Sequence, residues 1–262
     1  MKSRMIGATL LLLMLSFLGA IAPVSRPQAA NPRNPVLVEL FTSEGCSSCP
    51  PADSLLAKIN ALQPFANAEV IILEQHVDYW DGQGWLDPFA SSAATRRQDE
   101  YSRLLGSEVY TPQMVVDGHL EFVGGNGIRA KQAIETAAAD PKAQLQLAWA
   151  GDAAADSRAL RIQAGKLPGD ATEKFDVLLA VTESHLHSNV RAGENAGRGL
   201  EHDGVVRAFT KLGKANAGGE TSFETQTTVK LGKEWKRENL RAVVFIQSTR
   251  NRHVLAAAAI PY

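Results

Sequence analysis

The sequence predicts an α/β half followed by a β-rich half, and three observations carry this. The runs VLVELF (Val36 to Phe41) and AEVIILEQHV (Ala68 to Val77) are nearly continuous and apolar, as in strands buried on both faces of a sheet. Between them Leu55, Leu56, Ile59 and Leu62 recur at helical spacing, which makes a strand–helix–strand unit with parallel strands. Beyond Pro141 the texture changes to period-two alternation interrupted by Gly, Asp and Asn, the pattern of an antiparallel sandwich.

Asn31 to Pro35 reads as a linker. The helix after the first strand spans Ala52 to Leu62. Asp78 to Asp87 (DYWDGQGWLD) is a loop rich in glycine and aromatics, and Pro88 to Leu105 is helical. Gln113 to Val116 is a third strand. Asp117-Gly118 is a hairpin turn, His119 to Val123 its return strand, and Ile128 to Ala139 an Ala-rich helix. In the second half the alternating segments are Gln144 to Ala150, Ala159 to Ala164, Phe175 to Thr182, Thr221 to Leu231, Leu240 to Gln247 and Val254 to Ile260. The organisation expected is an α/β domain over 35–140 with an insertion at about 81–106, then a β-rich domain over 142–262.

Lys2 and Arg4 precede an apolar run from Met5 to about Val24, the layout of a secretory signal over residues 1–30. Cleavage would fall near Ala22 or at Ala29-Ala30. The run is long for a signal core, so an uncleaved membrane anchor is the alternative. The protein is therefore expected in the periplasm or secreted, touching a membrane only through an uncleaved signal. The formal net charge is −1 and there is no basic stripe, which argues against a nucleic-acid partner. The short clusters Arg96-Arg97 and Lys233 to Glu238 read as solvated surface charge.

The only two cysteines, Cys46 and Cys49, sit in EGCSSCPP on the turn from the first strand into the helix. A bridge across so short a loop constrains the unfolded chain little, so a structural staple explains it poorly. Zinc would need two further ligands. The HxH of His185 and His187 lies far along the chain, and a site shared with the cysteines is the lesser reading. A helix N-terminus lowers a thiol pKa. Cys46, placed at the helix start, would attack, and Cys49, one turn further in, would resolve the mixed disulfide. His76, at the end of the second strand, is either a third ligand for copper beside the cysteines or a partly buried strand histidine.

Strand, CxxC at a helix start, strand, Thr111-Pro112, hairpin and helix together resemble the thioredoxin superfamily. The resemblance implies that the Thr111–Pro112 bond is cis, with Thr111 beside the sulfurs. It also implies that Glu39 is the buried acid exchanging a proton with Cys49; a solvent-facing strand carboxylate is the alternative. Relative to that superfamily, Gly45 replaces an aromatic, so the surface at Cys46 is expected flat and open. More specifically, VELFTSEGCSSCPPAD, HVDYWDGQGW, VYTPQMVVDG and GENAGRGLEHDGVVR are similar to the motifs of the domain-of-unknown-function 1223 family, which implies a secreted, thioredoxin-like bacterial protein.

The function expected is an exported thiol–disulfide oxidoreductase acting on a partner protein's thiol or disulfide through Cys46 and Cys49, with an unidentified redox partner and no metal or cofactor. Thr111, Pro112 and Glu39 complete the site. Tyr79, Trp80 and Trp85 either line a substrate groove or form a small core under the insertion. A non-catalytic envelope binding module and a copper-handling protein are the alternatives. Glu194, Asn195, Arg198, His202, Asp203 and Arg207 form either a ligand site or a hydrogen-bonded loop docking the two halves.

Overall fold

Strand β1 (Asn34–Thr42) and strand β2 (Ala68–His76) lie parallel, in register from Asn34↔Ala68 to Thr42↔His76. The computed structural model describes residues 33–262 apart from 153, 155, 169–171 and 218. The expected signal over 1–30 lies outside the described residues. No helix among the described residues is long and apolar enough to cross a membrane. Helix α1 (Pro50–Leu62) connects the two strands. Its face of Ala52, Leu56 and Ile59 packs on Val36, Val38 and Leu40 of β1 and on Val70 and Ile72 of β2. Gln63 ends the helix in the left-handed region at φ 43°, and its side chain bonds both the N–H and the carbonyl of Val70.

Helix α2 (Ser92–Leu105) covers the opposite face. Ser91 caps it, its hydroxyl accepting from Ala94 N at 3.2 Å. Tyr101 of α2 packs edge-on to Phe41 of β1, with Val77, Ala94 and Val115 around them. Strand β3 (Gln113–Val116) runs antiparallel to β1, and β4 (Leu120–Val123) returns through the expected turn at Asp117-Gly118. Helix α3 (Gly127–Ala137) is capped by Asn126 and packs with α1 on the same core.

The second half adds β5 (Leu145–Ala150), β6 (Ser157–Gly165), β7 (Lys174–Glu183), β8 (Leu186–Asn189), β9 (Gly199–His202), β10 (Val205–Asn216), β11 (Thr221–Lys230), β12 (Leu240–Ser248) and β13 (Val254–Pro261). They do not form a domain of their own. One mixed sheet of eight strands runs β13-β12-β7-β10-β2-β1-β3-β4, so four strands of the second half continue directly into four of the first at the β10–β2 junction. This corrects the expected thioredoxin-like domain followed by a separate β-rich domain. Among the described residues the fold is mostly β, with 43% strand against 20% helix, and it is not a thioredoxin fold.

The physical reason is β10, a twelve-residue strand absent from the sequence expectation. Bulges between Val206 and Ala208 and between Lys211 and Gly213 break its alternation, so no period-two signal marks it. It pairs antiparallel with β7 and touches β2 in parallel at Val205↔Glu74, where Glu74 N donates to Gly204 O at 2.9 Å. A Cβ on Gly204 would lie 2.7 Å from two side-chain atoms of Ile72, so this crossing requires glycine. Leu37, Ile71 and Leu73 from the first half share a core with Leu178, Ala180, Val243, Phe245 and Ala257 from the second. A three-stranded sheet, β11-β6-β5, packs on the other side of β7 and β12, which keeps a local sandwich character.

Candidate functional site

Helix α1 starts after Cys49, not at Cys46. Pro50 and Pro51 occupy its first two positions and carry no N–H, so the first helical bonds run from Ala52 N and Asp53 N to Cys49 O, at 2.8 and 3.1 Å. Cys49 is the N-cap, and Cys46 lies in the preceding turns, its N–H donating to Ser43 O at 3.1 Å. This moves Cys46 one turn outside the helix relative to expectation. The two cysteines form a disulfide with Cα atoms 5.4 Å apart. Cys46 is 1% exposed and Cys49 0%, while Ser47 and Ser48 between them are exposed. The surface at Cys46 is therefore not flat and open. Trp80 covers the space beside Gly45, where an added Cβ would lie 3.1 Å from the Trp80 Cβ.

The second half clamps this turn. The fully buried amide of Asn195 donates to Glu44 O at 2.8 Å and to Cys46 O at 2.9 Å. Glu194 Oε2 accepts from Ser47 N at 3.0 Å. Of the two readings of this segment, these bonds match the docking loop.

Beneath the turn lies a buried charge network. His202 of β9 sits between Glu74 Oε1, 2.7 Å from Nδ1, and Glu44 Oε1, 3.2 Å from Nε2. His76 sits between Glu74 Oε1, 3.2 Å from Nε2, and Asp87 Oδ2, 2.7 Å from Nδ1. Trp85 Nε1 donates to Glu44 Oε2 at 2.7 Å, and Asp87 Oδ2 accepts from Glu44 N at 2.9 Å. Burial alone would lower the histidine pKa values. The Asp87 and Glu74 carboxylates outweigh it, raising His76 to about 9 and His202 to about 11. Conversely, burial pushes Glu74 and Asp87 up, and the imidazoliums hold both at about 2. Glu74, His76 and His202 are close enough to hold a metal ion. The four ring nitrogens of His76 and His202 each face a carboxylate oxygen at 2.7–3.2 Å, the arrangement of a buried ion-pair network.

Asp53 lies one helical turn beyond Cys49, at i+4 on the same face. Thr42 Oγ1 donates to its Oδ1 at 2.6 Å. Burial, and then the Glu74 carboxylate, push its pKa up to about 7, against the pull of His202 and Thr42. Sequence reasoning passed over Asp53, although it shares the apolar α1 face with Ala52 and Leu56, where a carboxylate is conspicuous. Glu44, Glu74 and Asp87 were also passed over, and local spacing holds no signal for their meeting.

The other expected residues divide. The Thr111–Pro112 bond is cis, and Thr111 Oγ1 accepts from Trp80 Nε1 at 2.8 Å. Pro112 borders the first turn of α1: a Cβ on Gly124 would lie 3.2 Å from both Pro112 Cβ and Ala52 Cβ. Trp80 and Trp85 are half-buried, Trp80 bonded to Thr111 and Trp85 to Glu44 before the cysteines, whereas Tyr79 is 38% exposed. Glu39 lies elsewhere. Its place on β1 alternates with Val38 and Leu40, so it points to the α2 face, away from α1. There it takes two bonds from Arg97, at 2.6 and 2.7 Å, one from Tyr101 at 2.5 Å and one from Gln75 at 3.0 Å. Its carboxylate is neither solvent-facing nor bonded to Cys49, and Arg97 is its buried counter-ion rather than surface charge. His76 faces carboxylates, not sulfurs. His185 and His187 pair with Asp203 and Glu201, apart from the cysteines.

The fold has solved relatives in structure. A crystal structure of protein AGR_C_4864 from Agrobacterium tumefaciens is similar at 26% identity and a TM-score of 0.66, over 88% of this chain and 96% of that one. HBP35 of Porphyromonas gingivalis is similar at 14% identity and a TM-score of 0.65, over 87% of this chain and 75% of that one. Both likenesses run through the first and second halves together, as the shared sheet requires. Comparison with curated proteins found no match. The motifs around the cysteines and the clamping loop fall within residues 37–247, which match the family described as protein of unknown function (DUF1223), and the chain belongs to that family.

Proposed function

We propose that this protein is an exported thiol–disulfide oxidoreductase whose exchanging pair is Cys46 and Cys49. The observation that carries the reading is a bridged CxxC at the mouth of α1, with a buried carboxyl poised near neutrality one turn beyond Cys49. The charged and then apolar start of the sequence supports export.

In the reduced state the Cys46 thiolate would attack a sulfur of a partner disulfide, forming a mixed disulfide and expelling the partner's other sulfur as a thiolate, which takes up a proton. Asp53, half-ionised near pH 7, would accept the Cys49 thiol proton. Cys49 would then attack Cys46 Sγ, close the Cys46–Cys49 bond and release the partner's second sulfur. Two electrons and two protons pass to the partner, and the reverse sequence oxidises it. Tyr79, exposed near the cis-proline turn, is the aromatic available to a partner chain. The reaction requires the 193–197 segment to move off the turn, since Cys46 is covered while its carbonyl is held by Asn195.

The burial of both cysteines favours a second reading, a permanent bridge in a binding module. Equilibration in glutathione buffers separates the two. A working exchanger should have a reduction potential between about −120 and −270 mV, and a value below about −300 mV would establish an inert bridge. Cys49→Ala should trap partner proteins on Cys46 as mixed disulfides.

A further inference from the structure

Three side chains from three separate segments converge at the end of the sheet remote from the cysteines. His119 is in the β3–β4 turn, Asp140 follows α3, and His253 immediately precedes β13. That turn lies against Leu37 through the Asp117 N to Leu37 O bond, while the CxxC follows Thr42 at the opposite end of β1.

One ligand atom from each of the three lies within 4.8 Å of the others. His253 Nε2 is 3.3 Å from Asp140 Oδ2. That is about the separation of two ligands on a tetrahedral ion with bonds of about 2.0–2.1 Å. His253 Nε2 is also buried and, although it faces Asp140 Oδ2, makes no well-aligned hydrogen bond. His119 Nδ1 is 3.1 Å from the Asp117 carbonyl. A proton on Nδ1 bonded to that carbonyl leaves the Nε2 lone pair free, the second-shell arrangement that orients metal-binding imidazoles. The two rings stand 4.4 Å apart between centroids. Lys142, the nearby cation, is engaged by Asp117 Oδ2 at 2.5 Å and Val254 O at 2.7 Å. All three residues are half-buried, which leaves one side open to water ligands.

We propose that His119, Asp140 and His253 form a binding site for a divalent transition-metal ion of the zinc class. Two imidazoles and one carboxylate select such an ion over magnesium, which prefers oxygen ligands. The ion would tie the β3–β4 turn, the end of α3 and the β12–β13 turn together. The contrast with Glu74, His76 and His202 is one of burial and charge: there the carboxylates of Glu44, Glu74 and Asp87 surround two imidazoles away from solvent, whereas His119, Asp140 and His253 are half-buried and hold a single carboxylate.

The test uses the full chain with its disulfide intact, freed of any histidine tag and stripped with a chelator. Titration calorimetry with Zn2+ should give one ion per chain, and Zn2+ but not Mg2+ should raise the thermal midpoint. His119→Ala and His253→Ala should each weaken zinc binding by more than about tenfold while leaving the metal-free midpoint in place. Absence of zinc binding up to millimolar ion, or unchanged binding in the double variant, overturns the proposal. Should either variant fail to fold, the unaltered chain gives the same readout: zinc should protect His119 and His253 from diethylpyrocarbonate. Equal modification rates with and without zinc would overturn it too.

Discussion

Asn195 donates from one buried side-chain amide to the carbonyl oxygens of Glu44 and Cys46, at 2.8 and 2.9 Å. A residue of the second half thereby holds the backbone of the CxxC turn closed from about one hundred and fifty positions away in sequence. Opening the turn must break both bonds. Each contributes about 1 kcal/mol net. Asn195→Ala should therefore speed reduction of the disulfide by dithiothreitol roughly 10-fold or more. Alkylation of the released thiols, followed over time, measures this; an unchanged rate would show that Asn195 does not gate access.

Asp53 connects exchange chemistry to stability. Its carboxyl is raised from 3.8 to about 7, so the folded chain holds a proton that the unfolded chain has released. Its contribution to stability consequently falls as pH rises from about 4 to about 7 and is level beyond. Asp53→Asn should remove that slope and stabilise the protein at pH 8, by up to a few kcal/mol, in urea unfolding. The same change should slow closure of the Cys46–Cys49 bond at pH 7. A variant with the wild-type slope and closure rate would remove Asp53 from both roles.

The histidines set the alkaline boundary. His76 is raised from 6.5 to about 9, so its ion pairs stabilise fully below pH 6.5 and are lost as pH rises through 9. Glu74 and Asp87 are depressed to about 2, so their share is present above about pH 4.5 and lost only as pH falls towards 2. Unfolding free energy should decline between pH 6.5 and 9, and His76→Gln should flatten that decline. His202→Ala leaves Glu44 and Glu74 buried without their shared counter-ion and should cost about 3–5 kcal/mol.

Glu39 and Arg97 form a second buried pair, on the α2 face. Arg97→Met strands the Glu39 charge and should destabilise by about 3–5 kcal/mol. Glu39→Gln should leave the pH dependence of Cys46–Cys49 exchange unaltered, because no bond of Glu39 reaches α1. A shifted exchange profile in Glu39→Gln would reinstate it as the acid for Cys49.

The sequence by itself determined the strands and helices of the first half, the Asp117-Gly118 hairpin, the alternating strands of the second half and the place of the cysteines between β1 and α1. Each is written in local periodicity or in a turn dipeptide, which fixes a backbone within a few residues. Tertiary structure decided the rest. The bulged β10 joins both halves into one sheet through Val205↔Glu74, and two consecutive prolines shift the helix start to Cys49. Glu44, Glu74, Asp87 and His202 meet only because that sheet brings β9 beneath the CxxC turn. Charge pairing among them acts across more than a hundred residues of chain, a separation at which periodicity carries no information and only packing selects the partner.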